Sequence, residues 1–464
     1  MQGNIFREYD IRGIIGQSFT INDTENLTKS IITYFLEKSP ELTHITVGMD
    51  GRIHSQAIKD IVIKNITNMG LNVIDIGLCP TPTFYFSLFN NPKSTSGLMI
   101  TASHNPKEYN GMKICLEKKS IWGNAIQEIK KISERAVFFE NKTKKIGEIE
   151  NYDATTLYIN YLAENFKHLK DSHIASLIDC GNGASGAIIP KLINKMNWKN
   201  VKTIFEEIDG TFPNHEADPT TPENMLILIN RLKTSSSLEI GIGFDGDADR
   251  MTPINKNGEL IPGDKLLALY SKQILKDKPN ATIVFDIKAS AGLIEVLNQW
   301  NANGIIAPSG HSLIKNCMIE NNADLAGELS CHFFFKHRYF GYDDGIYAMM
   351  RLFEILEEEN KTIDTLLKVF PEKQSSPEYR LTCKEEEKFE IVNKVKQYFS
   401  TKQNVKIITI DGIRAENDYG WGLVRTSNTQ AAITLRFEAN SSENLKKIKD
   451  EFKNALNPFF QNNF

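Results

Sequence analysis

Two short strings in this sequence hold residues that could do chemistry together. The first is Ile100-Thr101-Ala102-Ser103-His104-Asn105-Pro106, running on through Tyr109, Asn110 and Gly111 to Lys113. Its apolar approach (Leu98, Met99, Ile100) reads as a buried strand that delivers one serine at its end, with His, Asn and Lys following on a loop. Pro106 cannot extend a sheet interior, and Asn110-Gly111 favours a tight turn. A hydroxyl so placed suits phosphate or acyl chemistry. The second string is Gly243-Phe244-Asp245-Gly246-Asp247-Ala248-Asp249-Arg250. Three carboxylates converging on one point repel strongly unless a cation sits among them. A calcium loop starting at Asp245 would need glycine at its sixth place and glutamate at its twelfth, where the chain has Arg250 and Lys256. Oxygen-only ligands favour magnesium over zinc.

The acyl reading lacks its G-x-S-x-G elbow, since Ala102 and His104 flank the serine. His104 is also expected to diverge from Ser103, because neighbouring side chains in extended backbone point to opposite faces. A phosphoryl carrier accounts for the residues better. The serine holds phosphate, a metal neutralises it, and nearby cations stabilise the charge that builds during transfer.

Two further strings fit that chemistry. Gly327-Glu328-Leu329-Ser330-Cys331-His332 sets a carboxylate and a hydroxyl two residues apart, suited to vicinal sugar hydroxyls or to an ordinary helix-capping turn. Arg425-Thr426-Ser427-Asn428-Thr429 offers hydroxyls, an amide and a guanidinium to a phosphate, though a polar loop would look the same. In this order the four motifs resemble the α-D-phosphohexomutase superfamily, in its phosphomannomutase/phosphoglucomutase branch, and the likeness runs from Arg7 to about Lys453.

The resemblance implies reversible interconversion of hexose 1-phosphate and hexose 6-phosphate through a phosphoserine and a 1,6-bisphosphate sugar. Ser103 would carry the phosphate, and Mg²⁺ would sit on Asp245, Asp247, Asp249 and Ser103. Arg12, Lys113, Arg250 and His332 would be catalytic. As an acid/base group Lys113 would need a lowered pKa. Tyr9, His104, Lys288, His311, Glu328, Ser330, Arg425, Ser427, Asn428 and Thr429 would bind substrate, and glucose 1,6-bisphosphate would act as the activator that phosphorylates Ser103. Cys331 stands where the family usually has glycine, and it would be strained if that glycine has a positive φ.

The elements that must position these residues alternate. Leu27, Ile31 and Phe35 recur at helical spacing, strands are expected at Ile45–Val47 and Val73–Ile76, and a helical stripe from Ile58 to Met69 closes at Gly70. Such alternation predicts α/β domains with mixed, mainly parallel sheets, and ligands gather at the carboxyl ends of such strands. The strand at Ile240–Ile242 runs straight into the aspartates. The chain divides into four expected domains around a central cleft: three α/β domains (1–149, 150–252 and 253–368) and a smaller α+β C-terminal domain (369–464). By the resemblance, a turning intermediate implies motion of the last domain about the segment near Pro371 to Pro377.

Bulk properties agree with this. A chain of 464 residues is too long for one core, and 41% hydrophobic with 24% charged residues is a globular composition. A net charge of −4 argues against a nucleic-acid or anionic-membrane binder. Met1-Gln2-Gly3-Asn4 lacks the regions of a signal peptide, no run approaches membrane-spanning length, and the six cysteines form no C-x-x-C pair. A cytoplasmic monomer with reduced thiols, acting on hexose phosphates without nucleic-acid or membrane partners, is the expectation.

Overall fold

The computed structural model describes residues 3–427 and 431–460. The chain gathers into two compact units, one of Met1–Pro262 with Ser330–Thr365 and one of Gly263–Leu329 with Leu366–Phe464. No helix among the described residues is long and apolar enough to cross a membrane.

In the first unit, strands His44–Met49, Asn72–Leu78, Gly97–Ile100 and Ile149–Asn151 pair in parallel. Tyr109–Leu116 closes antiparallel on Gly97–Ile100 and carries Ile11–Ile14 beyond it. Helix Asp23–Lys38 packs through fully buried Leu27, Ile31 and Phe35, the stripe read from their spacing, and helix Ser55–Asn68 does so through Ile58, Val62 and Ile66. Each such side chain contributes about 1.5–3 kcal/mol by leaving water. A second sheet pairs Val201–Ile204, Ser176–Asp179 and Ile240–Phe244 in parallel, with Met251–Ile254 antiparallel at its edge.

Tyr109–Leu116 corrects the turn expected at Asn110-Gly111. A Cβ at Gly111 would lie 2.1 Å from the Ile11 carbonyl oxygen, so the glycine serves a close strand–strand approach and not a bend. Lys113 therefore stands on a strand, not on a loop.

The segment after Ser330 adds strand Phe333–Phe335 and helix Gly345–Glu359, whose N-cap Asp344 accepts from Tyr347 N–H. Asp344 also accepts from the hydroxyls of Tyr158 (2.9 Å) and Tyr339 (2.6 Å). Burial pushes its carboxyl up to about 6 despite these donors. Because the folded pKa lies above the ordinary value of 3.8, the native state holds a proton that the unfolded chain has lost. This contribution is complete below about pH 4 and disappears as pH rises through 6, a swing of about 3 kcal/mol. Asp344→Asn is expected to flatten that slope: the wild-type-minus-variant difference in thermal midpoint should change between pH 4 and pH 7, and a constant difference would refute the assignment.

In the second unit, Asn303–Ala307, Thr282–Asp286 and Leu325–Gly327 form a parallel sheet. The C-terminal part is an antiparallel sheet, centred on Ala432–Ala439, Gly420–Thr426 and Ile413–Asn417. Helices Lys388–Ser400 and Ser442–Leu456 pack on it through Ile391, Val395, Phe399, Ile448 and Phe452. This part is α+β, as expected. Arg425, expected on a loop, lies within strand Gly420–Thr426.

All six thiols are unbridged: Cys79, Cys115, Cys180 and Cys331 are buried, while Cys317 and Cys383 are half-buried.

Candidate active site

Ser103 follows strand Gly97–Ile100 in a turn, with φ 51° and 3% of its surface exposed. Its N–H donates to Thr101 Oγ1 (2.9 Å), and its hydroxyl donates to Asp245 Oδ2 at 2.9 Å. The left-handed backbone also overturns the expected divergence of His104, whose Nδ1 lies 3.3 Å from Ser103 Oγ. The divergence rule applies to extended chain, and this is a turn. Burial first, then the charges of Arg250 and Arg12, hold the His104 imidazole well below its ordinary pKa, so the ring is neutral near pH 7.

Arg52 fixes this turn. Its guanidinium donates to the carbonyls of Ser103 (2.7 Å), Asn105 (2.6 Å), Pro106 (2.8 Å) and Tyr109 (3.1 Å), and its Nε lies 3.2 Å from Asp50. Arg12 bonds the side chains of Asp10 and Asn105 at the same turn, and Tyr9 is half-buried three residues before it.

The aspartates leave strand Ile240–Phe244 at its carboxyl end. A Cβ at Gly246 would lie 2.5 Å from the Ser103 carbonyl oxygen, so only glycine lets the two loops meet this closely. Ala248 takes φ 58°. Asp247 Oδ2 accepts from Thr81 Oγ1 (2.6 Å), Thr101 Oγ1 (3.2 Å) and Lys113 Nζ (2.7 Å), and Lys113 also bonds Asp249. Arg250 closes on its own loop, its Nε donating to Asp245 Oδ2 at 3.1 Å.

Ligand atoms of Asp245, Asp247 and Asp249 lie within 4.8 Å of one another, and all three residues are buried. Asp247 Oδ1 and Asp249 Oδ1 accept no hydrogen bond among the described residues. Burial and the charges of Asp249 and Asp247 raise the Asp245 carboxyl. Crowded, dry carboxylate oxygens left without donors are the donor set of a hard divalent cation, so these residues fit a metal ion.

His332 sits opposite, its Nδ1 3.6 Å from Asp249 Oδ1 and 3.5 Å from Asp343 Oδ2. Lys113 does not match the lowered pKa expected of it. Burial alone would lower it, but Asp247, Asp249 and Asp343 together outweigh burial and hold the ammonium charged. Ser330 is half-buried in the turn before Cys331. Cys331 has φ 66° and lies 2% exposed, Sγ 4.0 Å from the Ile261 carbonyl, so the strain foreseen from its replacing glycine is present. A left-handed non-glycine residue costs roughly 1–2 kcal/mol.

The second unit brings together its own set. Glu328 Oε1 accepts from Gly310 N–H (2.8 Å), just ahead of His311, the first residue of helix His311–Glu320. Lys288 Nζ lies 3.5 Å from Asp286 Oδ2, which accepts from Ser309 Oγ at 3.2 Å. Arg425 Nε donates to Asp411 Oδ2 at 2.9 Å, and the Ser427 carbonyl accepts from Lys388. Asn428 and Thr429 lie outside the described residues.

The sequence reading missed Arg52, Thr81, Thr101 and Asp411. Three of them stood in visible signals: Thr101 inside the serine string, Arg52 in Asp50-Gly51-Arg52 after a strand, and Asp411 in Asp411-Gly412 between two strands.

This geometry can be set beside known proteins. Family models for the phosphoglucomutase/phosphomannomutase α/β/α domains I, II and III match residues 3–139, 156–258 and 262–373, and that for the C-terminal domain matches 378–455. A phosphomannomutase/phosphoglucomutase of Pseudomonas aeruginosa is 36% identical over 456 residues, covering 98% of this chain and 96% of its own. A phosphoglucomutase of Neisseria meningitidis is 37% identical over 454 residues, covering 98% and 96%. A crystal structure of a phosphoglucomutase/phosphomannomutase family protein from Burkholderia thailandensis superposes with a TM-score of 0.90 at 32% identity, covering 99% and 98%. With every segment that carries a site residue matched in order, the chain belongs to the phosphoglucomutase/phosphomannomutase family of the α-D-phosphohexomutases.

Proposed function

We propose that the protein is a phosphomannomutase/phosphoglucomutase that interconverts hexose 1-phosphate and hexose 6-phosphate. The observation that carries this is the Ser103 hydroxyl, 2.9 Å from one of three mutually close, buried aspartates. Four domains, 1–149, 150–252, 253–368 and 369–464, each supply one loop to the reaction: phosphoserine, metal, sugar and phosphate loops.

Phosphorylated Ser103 gives its phosphoryl group to the free sugar hydroxyl. The P–O bond to Ser103 Oγ breaks, a P–O bond to the sugar oxygen forms, and the hydroxyl proton passes to His332. The resulting 1,6-bisphosphate turns over and returns its other phosphate to Ser103. Asp245, Asp247 and Asp249 would hold Mg²⁺, which supplies charge neutralisation at the transferring phosphate. Arg12 and Arg250 stabilise the charge that builds in transfer, and Lys113, held cationic, adds to them. Glu328 and Ser330 hold the sugar hydroxyls, and Tyr9, His104, Lys288 and His311 also bind substrate. Arg425, Ser427, Asn428 and Thr429 take the phosphate that is not being transferred. Glucose 1,6-bisphosphate serves as the activator that phosphorylates Ser103, and the chain acts as a monomer in the cytoplasm.

The test is an assay of mannose 1-phosphate and glucose 1-phosphate with Mg²⁺ and a trace of glucose 1,6-bisphosphate. Formation of 6-phosphate sugars is expected, falling at least about 100-fold after EDTA and returning with added Mg²⁺. Release of free phosphate without 6-phosphate sugar would make the protein a phosphatase instead.

A further inference from the structure

Asp411 sits between Arg425, which the proposed reaction uses, and the turn leading into His311. A single oxygen, Oδ2, accepts from Arg425 Nε at 2.9 Å and from the backbone N–H of Ser309 at 3.1 Å. Ser309 begins the turn that opens the His311 helix, and the next N–H, of Gly310, is held by Glu328. The carboxylate thus ties the guanidinium on strand Gly420–Thr426 to the turn that leads into His311 and is bonded by Glu328.

The backbone around Asp411 is built for this. Gly412 has φ 79°, and a Cβ there would lie 2.3 Å from the Val424 carbonyl oxygen and 2.7 Å from Arg425 Cα, so glycine is what lets Asp411 come up against Arg425. Two residues on, fully buried Arg414 donates to the carbonyls of Ile287 and Ala289, both at 2.7 Å, which flank Lys288. Its guanidinium stacks 3.8 Å from the Trp421 ring centroid. The four residues Asp411 to Arg414 therefore fasten the strand bearing Arg425 to the loop bearing Lys288 and to the turn leading into His311.

We infer that Asp411 is a positioning residue for substrate recognition, holding Arg425 and the Ser309–His311 turn in register so that the phosphate and the sugar are gripped as one unit. This rests on the reading of Arg425 as a ligand of the substrate phosphate. A carboxylate that only neutralised Arg425 would compete with phosphate for it. One that also holds Ser309 N–H sets the geometry of both ends.

The experiment is a double-mutant cycle in the full-length Ser103→Ala protein, which cannot turn substrate over, with glucose 1-phosphate binding read by calorimetry. Arg425→Met is expected to weaken binding about tenfold or more, as loss of a charge-assisted contact does. Asp411→Asn is expected to weaken it about three- to tenfold. The double variant should bind little more weakly than Arg425→Met alone, because the guanidinium is then gone and the asparagine carbonyl oxygen can still accept from Ser309 N–H. Parent-like or tighter binding by Asp411→Asn overturns the inference, as does an effect of Asp411→Asn that persists in full without Arg425. Unchanged binding by Arg425→Met would instead overturn the phosphate-site reading beneath it. Asp411→Glu guards against misfolding: it keeps the charge one methylene out of place and should fall between the parent and Asp411→Asn.

Discussion

Ser103→Ala is expected to lower kcat for hexose 1-phosphate isomerisation by about 10⁴-fold or more, the scale seen when a covalent nucleophile is removed. The fold should survive. Ser103 donates one side-chain hydrogen bond, to Asp245, and its methyl replacement fits a turn held by Arg52 through carbonyls that the substitution leaves in place. Two measurements separate chemistry from damage. Intact mass after incubation with glucose 1,6-bisphosphate should show one added phosphoryl group on the parent and none on the variant. Thermal midpoints should stay within a few degrees, since losing one side-chain hydrogen bond costs about 1 kcal/mol. A variant that still gained phosphate would move the carrier to another residue.

The second large effect is expected at a residue that touches no reacting atom. Arg52→Met removes four guanidinium-to-carbonyl hydrogen bonds from inside the serine turn and leaves Asp50, fully buried, without its cation. Stranding one member of a buried ion pair costs about 3–5 kcal/mol. Activity should fall further than stability explains, by about 100-fold, because the backbone that aims Ser103 at Asp245 loses its internal scaffold. Arg52→Lys is not expected to rescue it, since a point ammonium cannot span carbonyls that a planar fork reaches together. Full kcat in a folded Arg52→Met protein would show that the turn holds its shape without the clamp.

These two residues also mark how far the sequence could be read. Ser103 and the aspartates were legible because each sits in a contiguous string whose chemistry is local: an apolar strand followed by a polar turn, and alternating carboxylates. The first two helices were legible because the spacing of residues such as Leu27, Ile31 and Phe35 reports a buried face directly. Arg52 was not, because its partners lie about 50 positions away and are backbone carbonyls, which leave no trace in residue type. Thr81 was hidden in the same way, as was the link that Thr101 makes from within the serine string: they reach Asp247 across 166 and 146 positions. Asn110-Gly111 misled for the opposite reason. A pair that usually marks a turn was here selected by the strand packed over it, which leaves no room for a Cβ. The charge of Lys113 turned on which groups surround it, cations or carboxylates, and that is a property of the assembled site.

The thiols, finally, divide by unit. All four in the unit bearing Ser103 are buried, whereas the two half-buried ones, Cys317 and Cys383, both belong to the other. In spectroscopic terms the wild-type chain is already selectively addressable: a fluorescent or paramagnetic maleimide would report from the unit of Gly263–Leu329 with Leu366–Phe464 and leave the unit bearing Ser103 silent. Burial raises both half-buried thiols above their ordinary pKa, so the labelling would be slow and best driven at mildly alkaline pH.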